Sequence, residues 1–165
     1  MAVEKKIIFS VDLEDWNHAL HIDKRGHISL YALHWLLTLL SFYKIKAIFY
    51  VLKQFEREYP LTVEEIAKIH VIKTHGDCHY RGEIADRNPY AWLGFTGGFW
   101  FRFLPYWFVK WQIKRKGFCY FHPHDLDENN PKLINPWLNW KRHINLKGAK
   151  VKLERLCREI EWGQP

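Results

Sequence analysis

The chain has 165 residues, is 48% hydrophobic and carries a formal net charge of +7, which suits one globular domain with a substantial core and excludes a disordered or low-complexity polymer. No run of about 18 uncharged apolar residues occurs, because the greasiest segment, "FTGGFWFRFLPYWFVKW", is broken by Arg102, Pro105 and Lys110. A membrane-spanning helix is therefore not expected, and an opening "MAVEKKIIFSVDLED" with so short an apolar run, followed at once by acids, predicts a cytoplasmic protein rather than a secreted one.

In chain order, "KKIIFSVD" reads as a buried strand ending at Asp12, and "ISLYALHWLLTLLSFY" as a helix with Leu33, Leu36, Leu37 and Leu40 on its inner face. "IKAIFYVL" is a second buried strand. "LTVEEIAKI" reads as a short helix opened by a capping box of Thr62 and Glu65, with Leu61 stapled onto Ile66. "HVIKTH" follows as a third strand, so the first half has the β-α-β-α-β order of a parallel sheet with crossover helices. After a Gly-, Pro- and aromatic-rich middle, "PYWFVKWQIKRKG" suits a helix stopped by Gly117, and "FCYFH" a fourth strand. At the C-terminus, Leu153, Leu156, Cys157 and Ile160 mark an amphipathic helix, about residues 148–161, that should dock on the body. The expected fold is a single α/β domain over residues 1–165, with mostly parallel strands whose carboxyl ends gather the polar residues after Asp12, His75 and His122 at one rim.

Cys78, Cys119 and Cys157 are an odd number with no C-x-x-C spacing, which argues against a disulfide framework or a thiolate zinc site. The positive charge, concentrated in "KWQIKRKG" and "NWKRHINLKGAKVKLER", would draw anionic partners and allows weak contact with an anionic surface. Basic and aromatic residues together suit nucleic acid or sugars, whose apolar faces stack on Trp and Tyr; with no nucleic-acid-binding motif, no nucleic acid is expected.

The chemistry concentrates at two places. "FSVDLEDW" sets Asp12, Glu14 and Asp15 directly behind a buried strand, where like charges repel unless a metal ion or an arginine receives them. "THGDCHY" sets His75 and His79 four residues apart at the end of another, and two imidazoles at that spacing plus a carboxylate make a three-ligand metal site with a position left for water.

"FSVDLEDW", "THGDCHY", "DRNPYAW", "GGFWFRFLPYW", "YFHPHDLD" and "RHINLKGAKVKLERL" together, in that order over nearly the whole chain, resemble the polysaccharide deacetylase family, in particular its branch with SVDVEDW, GGGYFRLLPYW and YFHPWEID signatures. The resemblance implies a distorted (β/α) barrel, here shortened in the middle, since the several tens of residues that usually separate the His pair from the Arg motif are almost absent. It implies removal of an N-acetyl group by a divalent metal, Zn2+ foremost with Co2+, Ni2+ or Fe2+ as alternatives, acting on an N-acetylated sugar or polysaccharide precursor. By matching position, Asp12 is implied as catalytic base, His75 and His79 as metal ligands, and His122 as general acid. Where relatives carry a second adjacent Asp this chain has Leu13, so the third ligand is Glu14 or Asp15; Glu14 shares the strand face of Asp12, whereas Asp15 reaches only if the backbone turns. Arg87 and Tyr90 of "RNPY" match the family's R-x-P-Y motif, whose Arg pairs with the catalytic Asp. Arg102 is a rival for that pairing, or lines a sugar cleft with Trp100 and Tyr106. Two other readings stay open: a non-catalytic, sugar-binding relative, and a basic adaptor for nucleic acid or membrane.

Overall fold

The computed structural model describes residues 6–14, 30–75 and 95–165. Strand β1 (Ile8–Leu13) leads through helix α1 (Leu30–Phe42) to β2 (Ile48–Val51), and helices α2 (Lys53–Glu58) and α3 (Pro60–Ala67) lead to β3 (Val71–Thr74). Helices α4 (Gly98–Phe103) and α5 (Tyr106–Lys116) precede β4 (Phe118–Phe121), a 3-10 turn spans Pro123–Leu126, and α6 (Pro136–His143) and α7 (Leu146–Glu159) follow. The four strands form one all-parallel sheet in the order β3-β2-β1-β4. The expected strands are thus the observed ones, in a mixed α/β fold. Among the described residues the sheet is open, with β3 and β4 at its edges, and it does not close into the expected barrel.

Alternation along the strands gives the sheet two unlike faces. Phe9, Val11 and Leu13 of β1 point with Phe49, Val51, Cys119 and Phe121 into the main core, against Leu33, Leu36 and Leu40 of α1 and Leu153 and Leu156 of α7. Leu37 packs at that core's margin. The intervening residues Ser10, Asp12, Tyr50 and Tyr120 share the other face, because Ser10 is in register with Tyr120 and Asp12 with Tyr50. Their hydroxyls and carboxylate make this face polar although Ser10, Asp12 and Tyr50 are buried.

Helix ends follow local chemistry, with one correction. α5 stops at Gly117, as expected, in the left-handed conformation with φ 84° that glycine adopts without strain. α3 does not begin with a capping box at Thr62. It begins two residues earlier at Pro60, whose ring presets the first helical φ and whose missing N–H leaves one fewer donor to satisfy. Glu65 instead pairs with Lys68 one turn on, and Leu61 is 74% exposed and staples nothing. α7 runs two residues earlier at both ends than the periodicity suggests, and Ile160, just beyond it, is buried. The helices α2, α4 and α6 were not expected. α6 is started by Asn135, whose side chain accepts hydrogen bonds from the backbone N–H groups of Trp137 and Leu138.

Gly97 places α4 against the sheet through an isolated parallel bridge to Tyr120 of β4. A Cβ at this position would collide with the Tyr120 carbonyl, which is backbone and cannot swing aside. Gly97→Ala should therefore destabilise the protein by about 1–3 kcal/mol through overpacking. A urea titration should show a lower midpoint with an unchanged slope.

Candidate active site

The polar rim forms where β1 and β4 end side by side. Leu13 turns into the core, so Asp12 and Glu14 on either side of it point the other way; they are only 1% and 4% exposed. In the neighbouring strand Tyr120 continues the Ser10 row, so His122 arrives beside Asp12. Its Nε2 lies 3.3 Å from Glu14 Oε1 and 3.7 Å from Asp12 Oδ2. Burying two carboxylates together is costly, and an imidazolium between them offsets part of that cost.

The opposite edge of the His122 ring is held by the 3-10 turn. Pro123 starts the turn, which brings Asp125 back so that its Oδ2 accepts the His122 backbone N–H at 3.2 Å and sits 2.8 Å from Nδ1. A carboxylate only accepts, so Nδ1 carries a proton and Nε2 is the atom that faces the acids. Asp125 is itself held by Arg102 of α4, whose Nη2 is 3.2 Å from Oδ1. Arg102 also donates through Nη1 to the Arg142 carbonyl at 2.5 Å, which ties α4 to the end of α6. His124 stacks on His122 with ring centroids 4.7 Å apart and planes 8° from parallel.

Burial by itself would lower the His122 pKa, but the hydrogen bond and charge of Asp125, with the charges of Glu14 and Asp12, outweigh it and raise the value to about 9. Burial works in the opposite sense on Asp125, and there the Arg102 guanidinium and the hydrogen bond and charge of His122 prevail, holding its carboxyl well below the usual carboxylate range. His124 is kept neutral: burial pushes its pKa well down, and the attraction of Asp125 does not recover it. Two adjacent imidazoles thus differ in charge, His122 positive and His124 neutral.

The rim carries donors of the kinds that hold a divalent metal, although His122 as an imidazolium has no lone pair to give. His122, His124 and Asp125 each offer one ligand atom, all within 4.8 Å of one another, and His124 Nδ1 is buried with no hydrogen-bond partner among the described residues. Mixed imidazole and carboxylate donors suit Zn2+ and its first-row neighbours. In that cluster, however, Asp125 already spends one oxygen on Arg102 and the other on His122. Asp12 and Glu14, in front of His122, form a second set of donors at the strand ends.

Of the residues singled out from the sequence, Asp12, Glu14 and His122 meet at this rim. His75 directly follows β3 with its N–H donating to the Val51 carbonyl at 2.8 Å, on the face it shares with Tyr50, and β2 lies between it and β1. Arg102 reaches Asp125 and supports His122 from behind. Trp100 lies outside the cleft on an aromatic surface with Phe95, Phe99 and Phe103. Tyr106 is elsewhere again, its hydroxyl donating to Glu159 at 2.8 Å. Asp15, His79, Arg87 and Tyr90 lie outside the described residues. Asp125 escaped the sequence reading, although an acid three residues after His122, with Pro123 between, is the pattern of a capping box.

A cleft of about 340 Å³ opens over the His122, Asp125 and Arg102 side of this rim, walled by Tyr120, His122 and Asp125 on the sheet side and by Phe99, Leu138 and Lys141 on the helical side. Comparison of the chain with curated proteins and with solved structures gives no match. Residues 87–165, which supply β4, His122 and the Arg102–Asp125 pair, match the family model described as "Domain of unknown function (DUF3473)".

Proposed function

We propose that the chain is a metal-dependent hydrolase that removes the N-acetyl group of an amino sugar or polysaccharide precursor and releases acetate. The observation that carries this reading is the convergence of buried Asp12 and Glu14 on a charged His122 whose far side is anchored by Asp125. The DUF3473 match over residues 87–165 supports a deacetylase-like activity. The metal would be held by His75 and His79 with Glu14 or Asp15, and when bound it supplies an acidified water and a polarised acetyl carbonyl.

The chain's own residues divide the proton work. Asp12, the ionised acid, takes the proton of the attacking water as a new C–O bond forms at the acetyl carbon. His122 then gives its Nε2 proton to the sugar nitrogen as the C–N bond breaks, so the amine leaves neutral. Its raised pKa keeps that proton in place at neutral pH. Arg102 acts through Asp125, which fixes the imidazole in the donating orientation and leaves pairing with Asp12 to Arg87.

The test is acetate release from a panel of N-acetylated sugars and oligosaccharides by chelated protein reloaded with Zn2+, Co2+, Ni2+ or Fe2+. Activity should vanish with the chelator and return with one of these ions, and His75→Ala should lower metal affinity by orders of magnitude. Acetate release that survives complete metal removal would refute the proposal. Sugar binding without acetate release under any metal would favour the non-catalytic alternative.

A further inference from the structure

The helical side of the molecule exposes a continuous ribbon of aromatic rings that the proposed chemistry does not use. Trp137 stacks on Trp140 of the same helix, and Trp140 meets Phe99 and Phe103 of α4 at 5.8 and 6.2 Å. Trp100 joins α4 to Phe95, whose ring meets Phe108 of α5. Phe108 in turn contacts Trp107 and Trp111. These rings are not core residues: Trp107 is 70% and Trp137 61% exposed, and α6 buries none of its side chains. So large an apolar surface on one face marks a site of docking.

The charge around the ribbon is mostly positive, with Glu159 beside Trp107 and Trp111 already paired with Lys110 and Arg155. Residues 95–116 contain no Asp or Glu, and neither do residues 129–153. Lys141 lies over the rings of Phe99 and Trp137 at 5.5 and 5.8 Å, and Arg115 over Trp111 at 5.4 Å. Lys114, Arg115 and Lys116 form the last turn of α5. Rings that sit between water and hydrocarbon, beside cations on long apolar stems, are the elements that hold a helix in a lipid headgroup layer. No helix among the described residues is long and apolar enough to cross a membrane.

We propose that this face docks on the surface of an anionic lipid bilayer, with the Trp and Phe rings at headgroup depth and the Lys and Arg side chains on lipid phosphates. A neutral polysaccharide fits the same face less well. Stacking a sugar needs open ring faces, and here many rings meet edge to face, as Trp107 and Phe108 do at 88°, while cations cover others. Phe99, Leu138 and Lys141 belong both to this face and to the wall of the cleft, so a docked bilayer borders the cleft mouth.

The experiment is sedimentation of the full chain with vesicles of phosphatidylcholine alone and of equal parts phosphatidylcholine and phosphatidylglycerol, read together with Trp emission. Binding should be at least about tenfold tighter to the anionic vesicles, with a blue shift in emission, and should weaken as salt rises. Trp137→Ala, on a helix that buries no side chain, and Trp107→Ala combined with Trp111→Ala should each weaken it by about tenfold while circular dichroism stays unchanged. No binding to anionic vesicles, or equal binding to both kinds, would overturn the proposal. So would binding that is indifferent to both sets of Trp substitutions. Quenching of Trp emission by a chitin oligosaccharide without vesicle binding would assign the face to sugar instead. A dimer that Trp137→Ala dissociates, again without vesicle binding, would assign it to a second copy of the chain.

Discussion

Asp12→Asn should lower turnover by at least about a hundredfold, within the range that a positioned general base contributes, while the protein stays folded and keeps its metal. The substitution preserves shape and removes only the charge that accepts the water's proton. It also takes one negative charge from beside His122, whose Nε2 is 3.7 Å from Asp12 Oδ2, so the His122 pKa should fall from its raised value. Glu14→Gln should behave differently if Glu14 is the third ligand: metal affinity drops, and excess metal recovers part of the activity. Titrating each variant with metal while following acetate release separates the two roles. Loss of metal from Asp12→Asn, or its rescue by excess metal, would make Asp12 a ligand and overturn its assignment as base.

Arg102→Ala should be the most destabilising change at the site, by about 3–5 kcal/mol, because it leaves the buried Asp125 carboxylate without its guanidinium. Both side chains of this pair are almost wholly buried, so solvent does little to screen the loss. The Arg142 carbonyl loses a donor as well. Replacing both members together, Arg102→Met with Asp125→Leu, should recover much of the stability but not turnover, since His122 then has no anchor at Nδ1. The sign with pH follows from the depressed native pKa of Asp125. Its contribution is complete above the unfolded carboxylate pKa of about 3.9 and is lost as pH falls below that through the lower native value. The stability gap between wild type and Arg102→Ala, read from urea midpoints, should therefore be constant near neutrality and narrow only in acid. A gap that opens instead as pH falls would show that Asp125 is not the group involved.

What the sequence alone determined was whatever depends on near neighbours. The apolar runs of β1, β2 and β4 and the 3.6-residue periodicity of α1 and α7 specify their own elements, because each buries one face or both wherever it packs. Gly117 ends α5 through its own backbone freedom. Strand alternation likewise placed Glu14 on the same side as Asp12, and the structure brings both to His122. The capping box failed for a local reason that a closer reading of the same residues contains: Pro60 is a better first helical residue than Thr62 is a cap. The partner of Arg102 was decided only by tertiary structure. Arg102 and Asp125 are separated by α5 and β4, and nothing in either segment says that α4 will be laid across the turn after β4; that depends on Gly97 bridging Tyr120. The different charge states of His122 and His124 were decided there too, since burial acts on both rings, but only His122 takes the Asp125 hydrogen bond and the Asp12 charge, while His122 and Arg142 press on His124. The aromatic ribbon has the same origin. Its Trp residues read from the sequence as stacking groups for sugar or nucleic acid, and only the packing of α4, α5 and α6 shows them as one outward-facing surface, because the core was already filled by the sheet, α1 and α7.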